Sequence, residues 1–209
     1  MDLNKKAEET YSKFSSIDGN QNIANEYALK CILGLIETFK IKNVLEVGIG
    51  IGCIADAILE YSPTIEYTAT EANEFCLNAI QKNIAQINRI SLYADLSQIP
   101  EGKTYDLIII DGTDESLEEV KRMCTENSVI FIEGGRSLQL KMLKSLFQTV
   151  LHTEMISNYK NPNYGPFSAE NWSGGGQLIF PYPNNKMKLF YFIEKIRTYL
   201  KRKYRNFKN

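Results

Sequence analysis

The sequence predicts an α/β fold built on a doubly wound, mostly parallel sheet, and three observations predict it. Short runs rich in Val and Ile recur between residues 43 and 132, amphipathic stretches alternate with them, and glycines cluster where the first run meets a helix. Runs that are apolar throughout belong to strands buried on both faces, as in a parallel sheet covered by helices. With 209 residues, 44% of them hydrophobic and 23% charged, the chain suits one such domain with a true core.

The elements follow in order. Residues 1–20 are polar, have room for a helix and end in the turn signal Asp18-Gly19-Asn20. Ala24, Tyr27, Ala28, Cys31, Ile32, Leu35 and Ile36 recur at helical spacing, which predicts an amphipathic helix over 22–39. Strands are expected at 43–47, 65–70, 90–94, 106–110 and 128–132. Helices are expected at 51–59, 74–87, 115–124 and 138–151, whereas Pro100 and Gly102 leave only a brief turn before the fourth strand. Two weaker strands, 154–158 and 177–181, flank a turn-rich loop that ends in Gly174-Gly175-Gly176. A loop of that length is usually functional. Its Tyr164, Phe167 and Trp172 read either as the wall of an acceptor site or as packing that pins the loop. Residues 188–207 read as a last helix.

Composition narrows the function classes. The start has no apolar segment of the secretory kind, and no run approaches the roughly 18 residues of a membrane span. Cys31, Cys53, Cys76 and Cys124 are scattered without a C-x-x-C pair, which argues against a zinc site and fits a cytoplasmic location. The net charge of −1 conceals a division: residues 186–209 hold nine Lys/Arg and one acid, Glu194, so the rest of the chain is acidic.

The strongest motif is Glu46-Val-Gly48-Ile-Gly50-Ile-Gly52, at the first strand–helix junction. Glycines there let a ligand approach the backbone, and the helix start adds free N–H donors. Glu71 ends the second strand, 19 residues after Gly52, where an acid can accept from both hydroxyls of a ribose. Asp95 ends the third strand, placed to accept from an adenine amino group, and Asp111 ends the fourth. The dinucleotide fingerprint would need a glycine at Cys53. Glu46 has little to do beside a pyrophosphate, but suits the amino group of a methionine moiety.

In these residues the chain resembles the class I S-adenosylmethionine-dependent methyltransferases, over roughly 22–180, and among them the small-molecule O-methyltransferases. The resemblance implies a Rossmann-like, seven-stranded sheet whose last two strands form an antiparallel hairpin. It implies S-adenosylmethionine as cofactor, with Glu46 and Gly48 at its methionine end, Glu71 at the ribose and Asp95 at the adenine.

Asp111 and Glu133 would stand side by side at the ends of adjacent strands, as a base for a hydroxyl acceptor or as ligands of a Mg²⁺ ion. Metal-dependent relatives often carry a third ligand directly after the second acid, and here that residue is Gly134. His152, the single histidine, is a further candidate base. The expected activity is methyl transfer to a hydroxyl of a small molecule or glycan precursor. The alternatives are an NAD-type oxidoreductase, an aminopropyl transferase on the same fold, and a non-catalytic scaffold.

Residues 1–185 are expected to form the domain, with 186–209 as a basic amphipathic appendage. On a helical wheel Leu189, Phe192, Ile193, Ile196, Tyr199, Leu200, Tyr204 and Phe207 share a face, with cations on its flanks and Lys203 within it. Such a face packs on its own domain, on a second subunit in a homodimer, or in the surface of an anionic membrane, here its cytoplasmic side. The acidic body disfavours nucleic acid.

Overall fold

The computed structural model describes residues 2–208. It forms one seven-stranded sheet of order β3-β2-β1-β4-β5-β7-β6. The strands are β1 (Asn43–Val47), β2 (Glu66–Thr70), β3 (Ile90–Tyr93), β4 (Tyr105–Ile110), β5 (Cys124–Glu133), β6 (Leu151–Met155) and β7 (Gly176–Phe180). β1 to β5 pair in parallel, and β7 runs antiparallel between β5 and β6. This is the Rossmann-like sheet with an antiparallel last hairpin. Strand order reverses between β1 and β4, so the crevice at their carboxyl ends is where such a sheet takes a ligand.

Strand residues alternate between two cores. Val44, Tyr67, Ile109 and Phe131 face α1 (Leu3–Ser15), α2 (Glu26–Phe39) and α3 (Cys53–Tyr61). Leu45, Ile108, Ile110 and Ile130 face the other layer, made by α5 (Val120–Met123), α6 (Ser137–Ser145) and short connecting turns. The N-terminal helix is integral, since Ala7, Tyr11 and Phe14 are fully buried. Asn25, rather than residue 22, opens α2 by accepting from the Ala28 N–H at 3.0 Å. The helix expected at 115–124 is a 3-10 turn at Leu117–Glu119 and a single α turn, because Leu117, Val120 and Met123 bury at three-residue spacing. α6 stops at Ser145 and β6 starts at Leu151, three residues before the expected strand. Pairing of Met155 with Gly176 and of Leu151 with Phe180 draws in Leu151, expected at the end of the helix, and the two residues after it.

α4 (Glu74–Asn83) also ends earlier than expected, and Arg89 secures the segment after it. Its guanidinium donates to the carbonyls of Leu59 at 3.3 Å, Pro63 at 2.7 Å and Ile65 at 3.0 Å, tying the end of α3 and the loop before β2 to the start of β3. Arg89→Ala is expected to cost about 2 kcal/mol, lowering Tm by roughly 4–8 °C in a thermal melt.

The last helix, α7 (Asn185–Lys208), lies along β6, and Thr198 Oγ1 donates to the Glu154 carbonyl at 2.5 Å. Most of its apolar face is not packed on the domain, Tyr204 excepted, which meets Trp172. Phe192 and Leu200 are 61% and 57% exposed, while Glu194 and Thr198 are buried. No helix among the described residues is long and apolar enough to cross a membrane.

Candidate active site

The glycine loop is held from both sides. Gly48 and Ile49 donate their N–H groups to the Thr70 carbonyl at 3.1 and 3.0 Å, and Gly112 donates to the Val47 carbonyl at 2.7 Å. The three glycines serve different ends. A Cβ at Gly48 would lie 2.6 Å from the Gly112 Cα, and one at Gly52 would meet Ile84, so these two admit the protein's own chain. Only Gly50, at φ +56°, faces open space. Its N–H donates to Glu71 Oε2 at 2.9 Å, while Glu71 Oε1 accepts from the N–H groups of Ala72 and Asn73. Glu71 is therefore locked beside the loop by three backbone donors.

A cavity of about 290 Å³ opens here, lined by Gly50, Ile51, Cys53, Asn73, Phe75 and Asp111 among others. Of the expected cofactor residues only Gly50 and Asp111 are in its wall; Glu71 stands behind Gly50, Gly48 and Gly52 pack against the protein's own chain, and Glu46 and Asp95 are turned to other uses. Glu46 is fully buried, its side chain turned from the sheet edge into the helical layer, where the Tyr67 hydroxyl donates to its Oε2 at 2.5 Å. Its Oε1 has no partner among the described residues. Burial first, then the charges of Asp111 and Glu71, push its carboxyl well above the usual carboxylate range. Asp95 instead caps the short turn after β3, accepting from the Ser97 N–H at 2.8 Å and Gln98 Nε2 at 3.1 Å. These bonds, led by that from the Ser97 hydroxyl, hold it below its ordinary range.

Asp111 also borders a second cavity of about 820 Å³, whose wall includes Asn25, Glu133, Arg136, Phe167 and Trp172. Ile110 pairs with Ile132, so the two acids that follow stand together at the sheet edge. Burial raises both. It lifts Glu133 to about 7 against the lowering effect of Arg136, and lifts Asp111 well above its ordinary value, with the charge of Glu133 adding to it. Arg136 donates from Nη2 to the Asp111 carbonyl and, at 3.1 Å, to Asp111 Oδ1. Asn25 Nδ2 approaches Glu133 Oε1 at 3.4 Å. Arg136 follows two glycines in sequence and Asn25 carries the cap signal of α2, but nothing in their spacing joins either to the acids.

This set does not fit a divalent cation. A guanidinium already occupies Asp111, Gly134 supplies no side chain, and no group of three His, Cys, Asp or Glu side chains suited to a metal exists among the described residues. His152 is also removed from the chemistry. It pairs with Ile179, three positions along β7 from Gly176, toward the opposite edge of the sheet, and its Nε2 lies 2.7 Å from Gln177 Oε1. Phe167 and Trp172 wall the cavity and are pinned as well, Phe167 stacked 6.4 Å from Tyr11 and Trp172 edge-on 6.2 Å from Tyr204. Tyr164 packs against Tyr11 outside that wall. The glycines that close the loop serve close packing: a Cβ at Gly175 would fall 1.8 Å from the Met155 carbonyl oxygen.

Comparison with known proteins agrees with this geometry. The family model described as the methyltransferase small domain matches residues 27–139, while no curated protein matches the sequence. An O-methyltransferase from Bacillus cereus, solved with S-adenosylhomocysteine, is 14% identical and superposes with a TM-score of 0.62 over 84% of this chain and 90% of its own. The O-methyltransferase TomG from Streptomyces achromogenes, solved with S-adenosylmethionine, is 9% identical with a TM-score of 0.62 over 86% and 90%. A candidate RNA methyltransferase from Pyrococcus horikoshii is 11% identical with a TM-score of 0.53 over 84% and 96%. The chain belongs to the methyltransferase small domain family, within the class I S-adenosylmethionine-dependent methyltransferases.

Proposed function

We propose that the chain transfers the methyl group of S-adenosylmethionine to a hydroxyl of a small molecule or glycan precursor, without a metal. The observation that carries this reading is the Asp111/Glu133 pair, half-buried in the wall of a cavity that adjoins the one at the glycine loop. S-adenosylmethionine, when bound, supplies a methyl group already activated on a sulfonium. The protein is left to align the acceptor oxygen, exclude water and take up its proton.

Glu133, with a carboxyl titrating at about 7, is suited to accept a hydroxyl proton near neutrality. Asn25 orients it from the helical side, and Arg136 holds Asp111. Glu71 and the Gly50 backbone are the groups placed to hold the nucleoside part of the cofactor. The O-methyl activity of the Bacillus and Streptomyces proteins supports oxygen as the target, and the four free cysteines support a reducing, cytoplasmic setting.

Calorimetric titration with S-adenosylhomocysteine and, separately, NADH tests the cofactor assignment. Wild type is expected to bind the former alone. Glu71→Gln, which keeps size but loses charge, is expected to bind it about thirtyfold more weakly, or about 2 kcal/mol. Binding of NADH alone, or unchanged binding in the variant, would overturn the reading.

A further inference from the structure

We propose that α7 is a docking helix for anionic membrane surfaces, lying in the plane of the bilayer with its outer side down. The inner side of the helix is mixed: near its start Met187, Phe190 and Tyr191 pack on the core, and beyond them polar groups meet the domain. Glu194 and Thr198 are buried there, Lys201 Nζ donates to the Tyr27 hydroxyl at 2.6 Å, and Arg205 donates to the Ser157 carbonyl at 2.9 Å. The side turned away carries Leu189, Phe192, Ile196, Tyr199, Leu200 and Phe207, all between 45% and 86% exposed. At 3.6 residues per turn these fall within about one-third of the circumference. A helix on a globular domain ordinarily buries a stripe this broad, and here it is left uncovered in addition to the short apolar contact at the helix start.

The charges select the occupant. Lys188 and Lys195 line one flank of the apolar stripe, Arg197 the other, and Lys203 lies within it. Glu194, the single acid of the helix, is buried on the inner side, 3.4 Å from Arg197. The outer side therefore combines an aromatic and aliphatic strip with cations alone. A bilayer rich in anionic lipid answers both features: apolar groups enter the headgroup boundary while Lys and Arg reach the phosphates. A second copy stacked on the same face would bring two sets of cations together, and a nucleic acid would leave the apolar strip uncovered. The helix is also joined to the acceptor cavity, because Trp172 in the cavity wall packs against Tyr204 and lies under the Arg205 guanidinium at 5.2 Å.

The test is flotation of the full chain with vesicles of phosphatidylcholine alone and of phosphatidylcholine mixed with phosphatidylglycerol. Wild type is expected to float with the mixed vesicles, at least about tenfold less with the neutral ones, and less at high salt. The double variant Phe192→Glu/Leu200→Glu is expected to lose about a hundredfold in partitioning. Both residues are exposed, so its binding of S-adenosylhomocysteine should equal that of wild type, and this control separates a failure of docking from a failure of the cofactor assignment. Equal flotation on both vesicle types, or flotation undiminished in the variant, would overturn the proposal. A wild-type dimer that the variant dissolves, without vesicle binding, would overturn it in favour of a second copy.

Discussion

Replacing Glu133 by Gln is expected to lower kcat by about a hundredfold to ten-thousandfold while leaving cofactor affinity unchanged, because it deletes the proposed proton acceptor and little else. Glu133 lies in the wall of the larger cavity and not of that at the glycine loop, so cofactor binding has no direct stake in its charge. The readout is release of S-adenosylhomocysteine with a hydroxyl acceptor found by screening sugars and phenols. In wild type, kcat should rise through about pH 7 as Glu133 ionises and level off above it. The variant should lose that limb.

A second readout needs no acceptor. The folded-state pKa of Glu133 is raised above its ordinary value, so its contribution to stability is fully present below about 4.5 and is lost as pH climbs through about 7. The loss should be on the order of 3 kcal/mol, because ionising the group where it sits in the fold opposes folding. Thermal melts across that window should fall for wild type and fall less steeply for Glu133→Gln, in which Asp111 and Glu46 still carry raised carboxyls. If the slope is the same in both, Glu133 is not the titrating group.

Gly48→Ala is expected to destabilise the fold by about 4 kcal/mol, lowering Tm by roughly 8–16 °C. Two costs combine at this position. Its φ is +84°, in the left-handed region where an L side chain strains the backbone, and its Cβ would lie 2.6 Å from the Gly112 Cα. That neighbour is backbone, so no rotamer can relieve the clash. Either β1 or β4 must move at the point where the sheet opens for its ligand.

Gly50→Ala is the contrasting substitution. It shares the positive φ, but no atom lies within 4 Å of its added methyl, so it should cost only about 1 kcal/mol. That methyl would stand beside the Gly50 N–H and Glu71, in the space a ligand takes, and should weaken S-adenosylhomocysteine binding while the fold survives. Equal loss of stability in the two variants would contradict the separate roles assigned to these glycines.

Much of the architecture is legible in local pattern. The five parallel strands announce themselves because burial on both faces demands apolar runs such as 107–110, and the glycine spacing marks a junction where the chain must turn tightly. Pairing of Asp111 with Glu133 is legible too, because both follow buried strands whose register was bound to align. Elements whose boundaries rest on pairing are less so. The β6 boundary was displaced by three residues because its partner β7, and not its own composition, decides which residues enter the ladder.

By itself, the sequence determined the parallel sheet, its ligand-bearing edge and the acids placed along that edge, since these follow from periodicity and from the ends of periodic runs. The tertiary structure alone decided how those acids are used. It brought Arg136 onto Asp111 and Asn25 toward Glu133, sealed Glu46 under Tyr67, turned Asp95 to a capping role and carried His152 toward the far edge. It also turned the apolar stripe of α7 away from the domain. The reason is common to all of these: a repeating pattern tells which residues share a face, but the direction of that face, and what meets it, is settled by the rest of the chain.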